Sequence, residues 1–283
     1  MDRENNGLGV KGRRLLSYII LILISFFCLF WFYILIINAS RSHSALTRGF
    51  TLLPGGYLIT NWVNLIHGTI PVLQGMVNSL LVGFASAGLS VYFSALTAYA
   101  IHAYDFKLRN VMYTFILMIM MIPTQCCALG FIKLIQRMGL DDTFWPLILP
   151  SIAAPVTFFY IKQYMDSTLP LSLVEAARID GSGEFKTFNS IVLPLLKPAV
   201  AVQMIFAFVG SWNNYFTPSL VLHTQEKKTL PILIALLRGA DFLKFDMGQV
   251  YVMIAFSIFP VVVVYLFLSK YIVGGVTLGG VKG

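Results

Sequence analysis

Six stretches of this chain contain no Asp, Glu, Lys or Arg: residues 15–40, 49–104, 110–132, 143–161, 198–225 and 247–269. Each can supply the roughly 20 apolar residues that carry a helix across a ~30 Å hydrocarbon layer. The second is too long for one helix and must include a loop. Only 11% of the 283 residues are charged and 58% are hydrophobic, with a mean hydropathy of +0.80. Soluble domains run near about 25% charged. A soluble enzyme and a DNA-binding protein are therefore excluded. The net charge of +8 has to be read against a bilayer, with no nucleic-acid partner.

The expected fold class is all-α: a polytopic membrane protein with six transmembrane helices, forming a single domain over 1–283. Helices placed in the charge-free windows span 15–37, 76–101, 110–131, 144–165, 199–222 and 248–271. Lys11, Arg13 and Arg14 precede the first apolar run, as in a signal peptide. That run extends from Leu15 to Ile37, beyond the about 7–15 residues of a signal core, and reads as an uncleaved span. With both termini inside, twelve of the 20 Lys and Arg residues fall on the inner side and eight outside, so both ends are expected in the cytoplasm. Cys28, Cys126 and Cys127 lie in apolar runs and read as inert, packed small hydrophobes. No Cys/His spacing suggests a metal, and no cofactor is expected.

The connection at 166–198 is too polar to span and too patterned to be a passive linker. Ser172 and Glu175 form an S-x-x-E capping box, which predicts a helix over Leu173–Asp180. Gly181 is placed to end that helix in the left-handed conformation. Ser182 can cap a second short helix running through Glu184 and Phe185 toward Ile191, and Pro194 opposes further continuation without a kink. Ala176 and Ala177 leave a low surface for the groove of another protein, with Glu175 and Arg178 supplying charge to orient it. An amphipathic hairpin resting on lipid headgroups is the physical alternative.

Glu175-Ala176-Ala177, then Gly181, then Ile191-Val192-Leu193-Pro194 follow the spacing E-A-A, three residues, G, nine residues, I-x-L-P. This resembles the signature loop of binding-protein-dependent ABC importer permeases. The resemblance extends along the chain. Asn78-Ser79, Ala98-Tyr99-Ala100, Met121-Ile122-Pro123, Gly139-Leu140 with Thr143, Trp212-Asn213, Thr229-Leu230-Pro231 and Gly279-Gly280-Val281-Lys282-Gly283 are similar to the carbohydrate-uptake branch, of maltose and multiple-sugar type. The last two motifs point to one particular member of a two-permease pair, and Gly280 departs only slightly from the branch's usual ending.

The resemblance implies a permease subunit of the bacterial or archaeal cytoplasmic membrane. Its implied partners are a second homologous permease, two copies of a cytoplasmic ABC ATPase and an extracytoplasmic solute-binding protein. It makes 166–198 the coupling loop, with Glu175, Ala176, Ala177, Arg178, Asp180, Gly181, Ile191, Leu193 and Pro194 as the ATPase-docking residues. Trp212, Asn213 and Asn214 become candidates for the translocation path or its gate. The outer 223–247 loop carries seven charges and is expected to face the binding protein through Lys227, Lys228, Arg238, Gly239 and Asp241. The outer segment 38–75 is expected to lie against the membrane surface. The tail from Gly274 to Gly283 is expected to take an extended path near the ATPase.

Energy has to be borrowed. No G-x-x-x-x-G-K-[ST] phosphate loop is present, so the chain is not expected to be an enzyme with its own ATPase site or catalytic residues. The six expected spans are also read as lacking the acids and bases that ion-driven carriers usually place in the membrane. His102 and His67 read as surface or interfacial residues. Pro146, Pro150, Pro155, Pro218 and Pro260 read as kinks within the spans. The leading solute is a sugar or oligosaccharide. A polyol or glycerol phosphate derivative is the alternative, the phosphorylated solute being disfavoured by the lack of a membrane-embedded cation. A scaffold or channel that needs no ATPase is the remaining class.

Overall fold

The computed structural model describes residues 5–239 and 246–279, with side chains described over 11–239 and 246–271. Fifteen α-helices follow in chain order among the described residues. They are α1 (Asn5–Ala39), α2 (His43–Thr47), α3 (Leu58–Ile66), α4 (Val72–Ala103), α5 (Arg109–Ile119), α6 (Ala128–Arg137), α7 (Trp145–Ile148) and α8 (Pro155–Thr168). The chain continues through α9 (Leu171–Ile179), α10 (Glu184–Thr187), α11 (Leu193–Leu195), α12 (Lys197–Trp212), α13 (Phe216–Val221), α14 (Leu230–Arg238) and α15 (Met247–Gly279). Four helical stretches are long and apolar enough to cross a membrane: Lys11–Ala39, Val72–Ala103, Trp145–Thr168 and Met247–Tyr271. Two bent pairs raise the number among the described residues to six if each pair is counted as one span.

The expected span 110–131 contains one bend, and the expected span 199–222 is preceded by the other and interrupted after Trp212. α5 and Thr124–Arg137 meet at 91°, across Pro123 in an extended conformation. Glu184–Leu195 and α12 meet at 83°, and α12 stops at Trp212 before α13 resumes at Phe216. The fourth span is likewise composite, with the turn at Leu149–Ile152 leading into α8, where Pro155 occupies a first-turn position. Proline is tolerated there because its missing N–H would have no helical partner.

The chain divides into two compact units, Met1–Thr69 with Leu237–Phe256, and Ile70–Leu236 with Ser257–Gly283. In the first, α1 exposes a continuous apolar surface from Leu15 through Tyr33. Past its end, Arg41 is buried and donates to the carbonyls of Ala45 and Gly49, while Asn61 donates to those of Ala39 and Arg41. The 38–75 segment is thus folded around its own polar contacts, with Asn61 and Leu65 of α3 buried.

In the second unit, α4 packs through a stripe of small residues that includes Gly83, Ser86, Ala87, Ser90, Ser94, Ala95 and Ala98, all buried. Small side chains let neighbouring backbones approach, the usual basis of helix association in membranes. At Gly83 an added Cβ would stand 2.9 Å from the ring of Phe208 on α12. Ser90 and Ser94 of the same stripe donate across to Thr157 Oγ1 and the Ala154 carbonyl at the start of α8.

Four further expectations change. Lys162 falls inside the fourth span, is only 6% exposed, and is neutralised by Asp166 at 2.5 and 2.7 Å. Cys28, Cys126 and Cys127 are free and exposed on the chain's surface, not packed. Within the 223–247 segment, residues Leu230–Arg238 form α14, whose apolar sequence buries Leu230, Ile232, Leu233 and Leu237. The helix α15 runs on through Gly279, so 274–279 are helical instead of extended. Asp241 and residues 280–283 lie outside the described residues.

Candidate functional site

The 166–198 loop starts two residues earlier than its capping box predicts. Pro170 holds φ at −69° and stands at the N-cap, so α9 begins at Leu171 and Ser172 falls inside its first turn, with no side-chain cap. The other end follows the expectation. Gly181 has φ +76°, its amide bonds the Arg178 carbonyl at 3.0 Å, and the Ser182 amide bonds the Ala177 carbonyl at 2.9 Å. Both hydrogen bonds of a glycine-terminated Schellman motif are present. Gly139 ends α6 in the same way, with φ +67°.

The second helix is capped by position at Gly183, not Ser182, whose hydroxyl accepts from Thr187 at 2.9 Å. Its path runs through α10, a π-helical turn over Phe188–Val192, and α11 to Leu195. Pro194 sits in the first turn of α11 and is tolerated there; the turn comes at Leu196.

Apolar residues pin this hairpin down. Val174, Phe188, Val192 and Leu196 are buried in one cluster with Val91, Ala95, Ala98 and Tyr99 of α4 and Phe158, Ile161 and Met165 of α8. Truncating a fully buried Phe such as Phe188 to Ala costs about 3–5 kcal/mol.

Polar contacts then fix the hairpin's angle. Arg178 Nε donates to Glu184 Oε1 at 2.7 Å, and Tyr99 donates from its hydroxyl to Glu184 Oε2 at 3.0 Å. Both ion-pair partners are over a third exposed, so the pair contributes at most about 1 kcal/mol. The hydrogen bond from Arg178 holds the Glu184 carboxyl below its ordinary pKa, reinforced by the Tyr104 hydroxyl. The Arg178 guanidinium also lies 5.1 Å from the Tyr104 ring centroid, a cation–π distance. Arg178 is therefore engaged within the chain while remaining over a third exposed. Tyr92 donates to Asn189 Oδ1 at 3.3 Å, and His102 contacts Asp166 Oδ1 at 2.8 Å and the Leu169 carbonyl at 3.0 Å.

Outward, the hairpin presents two large apolar side chains among charged and small ones. Ile179 is 86% exposed and Phe185 is 69% exposed. Glu175, Ala176 and Asp180 are exposed beside them, while Ala177 is buried. Ile191 and Leu193 are half-buried, and Pro194 is exposed.

At the other end of α4, a second set of contacts holds residues 222–230. Asn78 Nδ2 donates to the Glu226 and Lys228 carbonyls at 2.7 and 3.0 Å, and the Leu230 amide donates to Ser79 Oγ at 2.8 Å. Asp142, at φ +54°, accepts from the His223 and Thr224 amides, the Thr224 hydroxyl and Lys227 Nζ. Burial alone would raise the Asp142 pKa, but these donors outweigh it and hold the carboxyl far below the usual carboxylate range. Lys227 is thus spent on Asp142, and Lys228 Nζ donates to Gln225 Oε1. Arg238 closes α14, and Gly239 is exposed just after it. Trp212 is buried at the end of α12 and stacks on Phe208 at 5.6 Å. Asn213 is exposed, and Asn214 accepts from the Thr217 amide, which starts α13.

The structure therefore gathers the loop residues at one end of α4 and the 226–230 residues at the other, with Trp212 in neither group. Sequence reasoning missed Glu184, Tyr99 and Asp142. Glu184 lies six residues after Arg178 across a Gly-Ser-Gly turn, which is a legible pairing distance. Asp142 acts on residues about 80 positions away and left no local signal.

The profile of the family described as binding-protein-dependent transport system inner membrane component matches residues 90–277, which include the whole hairpin. The chain belongs to this family. Members of this transport-system family similar to it include the arabinooligosaccharide permease protein AraQ of Bacillus subtilis, 35% identical, covering 92% of this chain and 93% of that protein. The galactooligosaccharide permease protein GanQ of Bacillus subtilis is 32% identical over 84% and 88% of the two chains. The sn-glycerol-3-phosphate permease protein UgpE of Yersinia pestis is 30% identical over 94% and 96%. Among solved structures, a bacterial ABC transporter involved in import of the acidic polysaccharide alginate superposes with TM-score 0.75 at 22% identity, covering 96% of this chain and 98% of that one. The inner-membrane-component fold is thereby shared over almost the full length.

Proposed function

We propose that this permease carries an oligosaccharide inward, paired with a second permease subunit and driven by two copies of a separate cytoplasmic ATPase. The observation that carries the reading is the 35% identity to an arabinooligosaccharide permease over nearly the whole chain. The 166–198 hairpin is the ATPase-docking element: a rigid, capped helix pair presenting Ile179, Phe185, Ala176 and Glu175 outward. Apolar anchors within a polar rim are the usual composition of energetically central contacts. With that hairpin in the cytoplasm, both termini are cytoplasmic, and Gly239 with the 222–230 segment faces a binding protein outside. Trp212, Asn213 and Asn214 stay candidates for the gate, since the helix breaks between Trp212 and Phe216.

The glycerol phosphate permease relative favours a second reading, a phosphorylated solute. Such an anion needs an unspent cation in the path. Lys162 is buried within a span, but its charge is taken by Asp166. The neutral oligosaccharide is therefore preferred. Uptake decides between them. Vesicles carrying the complete complex and its binding protein should accumulate labelled arabino- or galacto-oligosaccharide upon ATP addition. Accumulation of glycerol phosphate with no sugar uptake would overturn the assignment.

A further inference from the structure

The two sets of contacts described above share one helix. Toward the hairpin, α4 presents Tyr92, Tyr99 and His102, spaced seven and three residues apart and so on one helical face. Tyr92 holds Asn189, Tyr99 holds Glu184, and His102 holds the Leu169 carbonyl at the entrance to α9. Toward the opposite end, Asn78 and Ser79 hold Glu226, Lys228 and Leu230. Gly75 lets Leu233 of α14 pack directly against the helix backbone, where an added Cβ would stand 2.3 Å from Leu233 Cδ1.

Tyr99 follows Ser79 by 20 residue steps of continuous α-helix, or about 30 Å at 1.5 Å per residue. That is the thickness of the hydrocarbon layer. The bent pairs of the same unit, at 91° and 83°, can absorb displacement at their breaks. α4 is unbroken from Val72 to Ala103 and is fastened at both ends.

We infer that α4 acts as one rigid member linking the hairpin to the 226–230 segment, with Tyr99 and Ser79 as positioning residues that couple the two. This rests on the proposed reading, in which the hairpin meets the ATPase and the far segment meets the binding protein. A shift of the hairpin is then delivered across the membrane as a shift of the surface the binding protein touches, and the reverse. The hydrogen bonds at each end keep the two movements in step.

The test uses the complete reconstituted complex with Tyr99→Phe, Ser79→Ala and the double variant. Each substitution removes one hydroxyl and leaves the packing intact, so assembly should be normal by co-purification. The readout is ATP hydrolysis with loaded binding protein, divided by hydrolysis without it. Each single variant should lower that ratio about two- to five-fold, the scale of one lost hydrogen bond. The double variant should be no worse than the poorer single, because a rod released at one end no longer transmits from the other. Unchanged ratios in both singles, or effects that multiply in the double as for independent sites, would overturn the inference. A wild-type complex that binds no ATPase, or is not stimulated at all, would remove the proposed function and this inference together. Stimulated wild type with unaffected variants would remove this inference alone.

Discussion

Gly181 has φ +76°, and no atom lies within 4 Å of where a Cβ would stand. A side chain there meets backbone strain and no steric neighbour. Gly181→Val should cost roughly 1–2 kcal/mol of local stability. Gly181→Asn should cost less, since Asn tolerates this conformation. Membrane levels should stay normal for both, with ATPase co-purification reduced for Val and nearly restored for Asn; equal loss in both would remove the backbone account. Asp142 gives a pH prediction. Its folded pKa lies below the ordinary value, so its contribution to stability is present above about pH 4 and lost as pH falls toward the folded value. The 222–228 segment should therefore resist protease equally at all neutral pH values. Asp142→Ala should make it cleavable at pH 7, and wild-type resistance in that variant would show that the carboxylate is dispensable. Gly181 was legible in the sequence because a helix ending is local chemistry. Ser172 was misread because Pro170, two residues earlier, sets the helix start. Asp142 was illegible because its partners at 223–227 are adjacent only in the folded chain.

At the scale of elements, charge-free windows located all the apolar segments but not their bends. Lack of charge constrains length in lipid and says nothing of direction. Pro123, Pro155 and Pro198 mark three of the interruptions, whereas the break at 213–215 arises without a proline at the break. Burial was also invisible to the windows: Lys162 is embedded because Asp166, one helical turn on, cancels its charge. The α4–α12 contact is tight enough to predict a mutant. Gly83→Ala puts a methyl 2.9 Å from Phe208 Cε2, which is fully buried and stacked on Trp212. The ring has to shift, at about 1–3 kcal/mol for overpacking. In detergent, the variant should unfold at lower temperature, with altered tryptophan fluorescence from Trp212. An unchanged transition would mean that the ring yields freely.

For the whole molecule, topology is the claim with the widest consequences, and loop charge supported it only by twelve to eight. The three free cysteines are exposed, so labelling needs a background in which Cys28, Cys126 and Cys127 are replaced by Ser. A single cysteine at Gly239 should then react with an impermeant maleimide in intact cells, and one at Asp180 only after lysis. The reverse pattern would invert the molecule and every assignment of its two faces. The hairpin has a further consequence for the cell that makes the subunit. Ile179 and Phe185 stand 86% and 69% exposed on a rigid turn. Oily side chains displayed this way in water are what quality-control proteases and chaperones seize. On the proposed reading, a copy made without its ATPase carries its own mark for disposal, and assembly erases it. Pulse-chase of the subunit expressed alone should show faster turnover than for Ile179→Ser/Phe185→Ser, and adding the ATPase should close the gap. Stoichiometry would then be enforced by the same two side chains that make the joint.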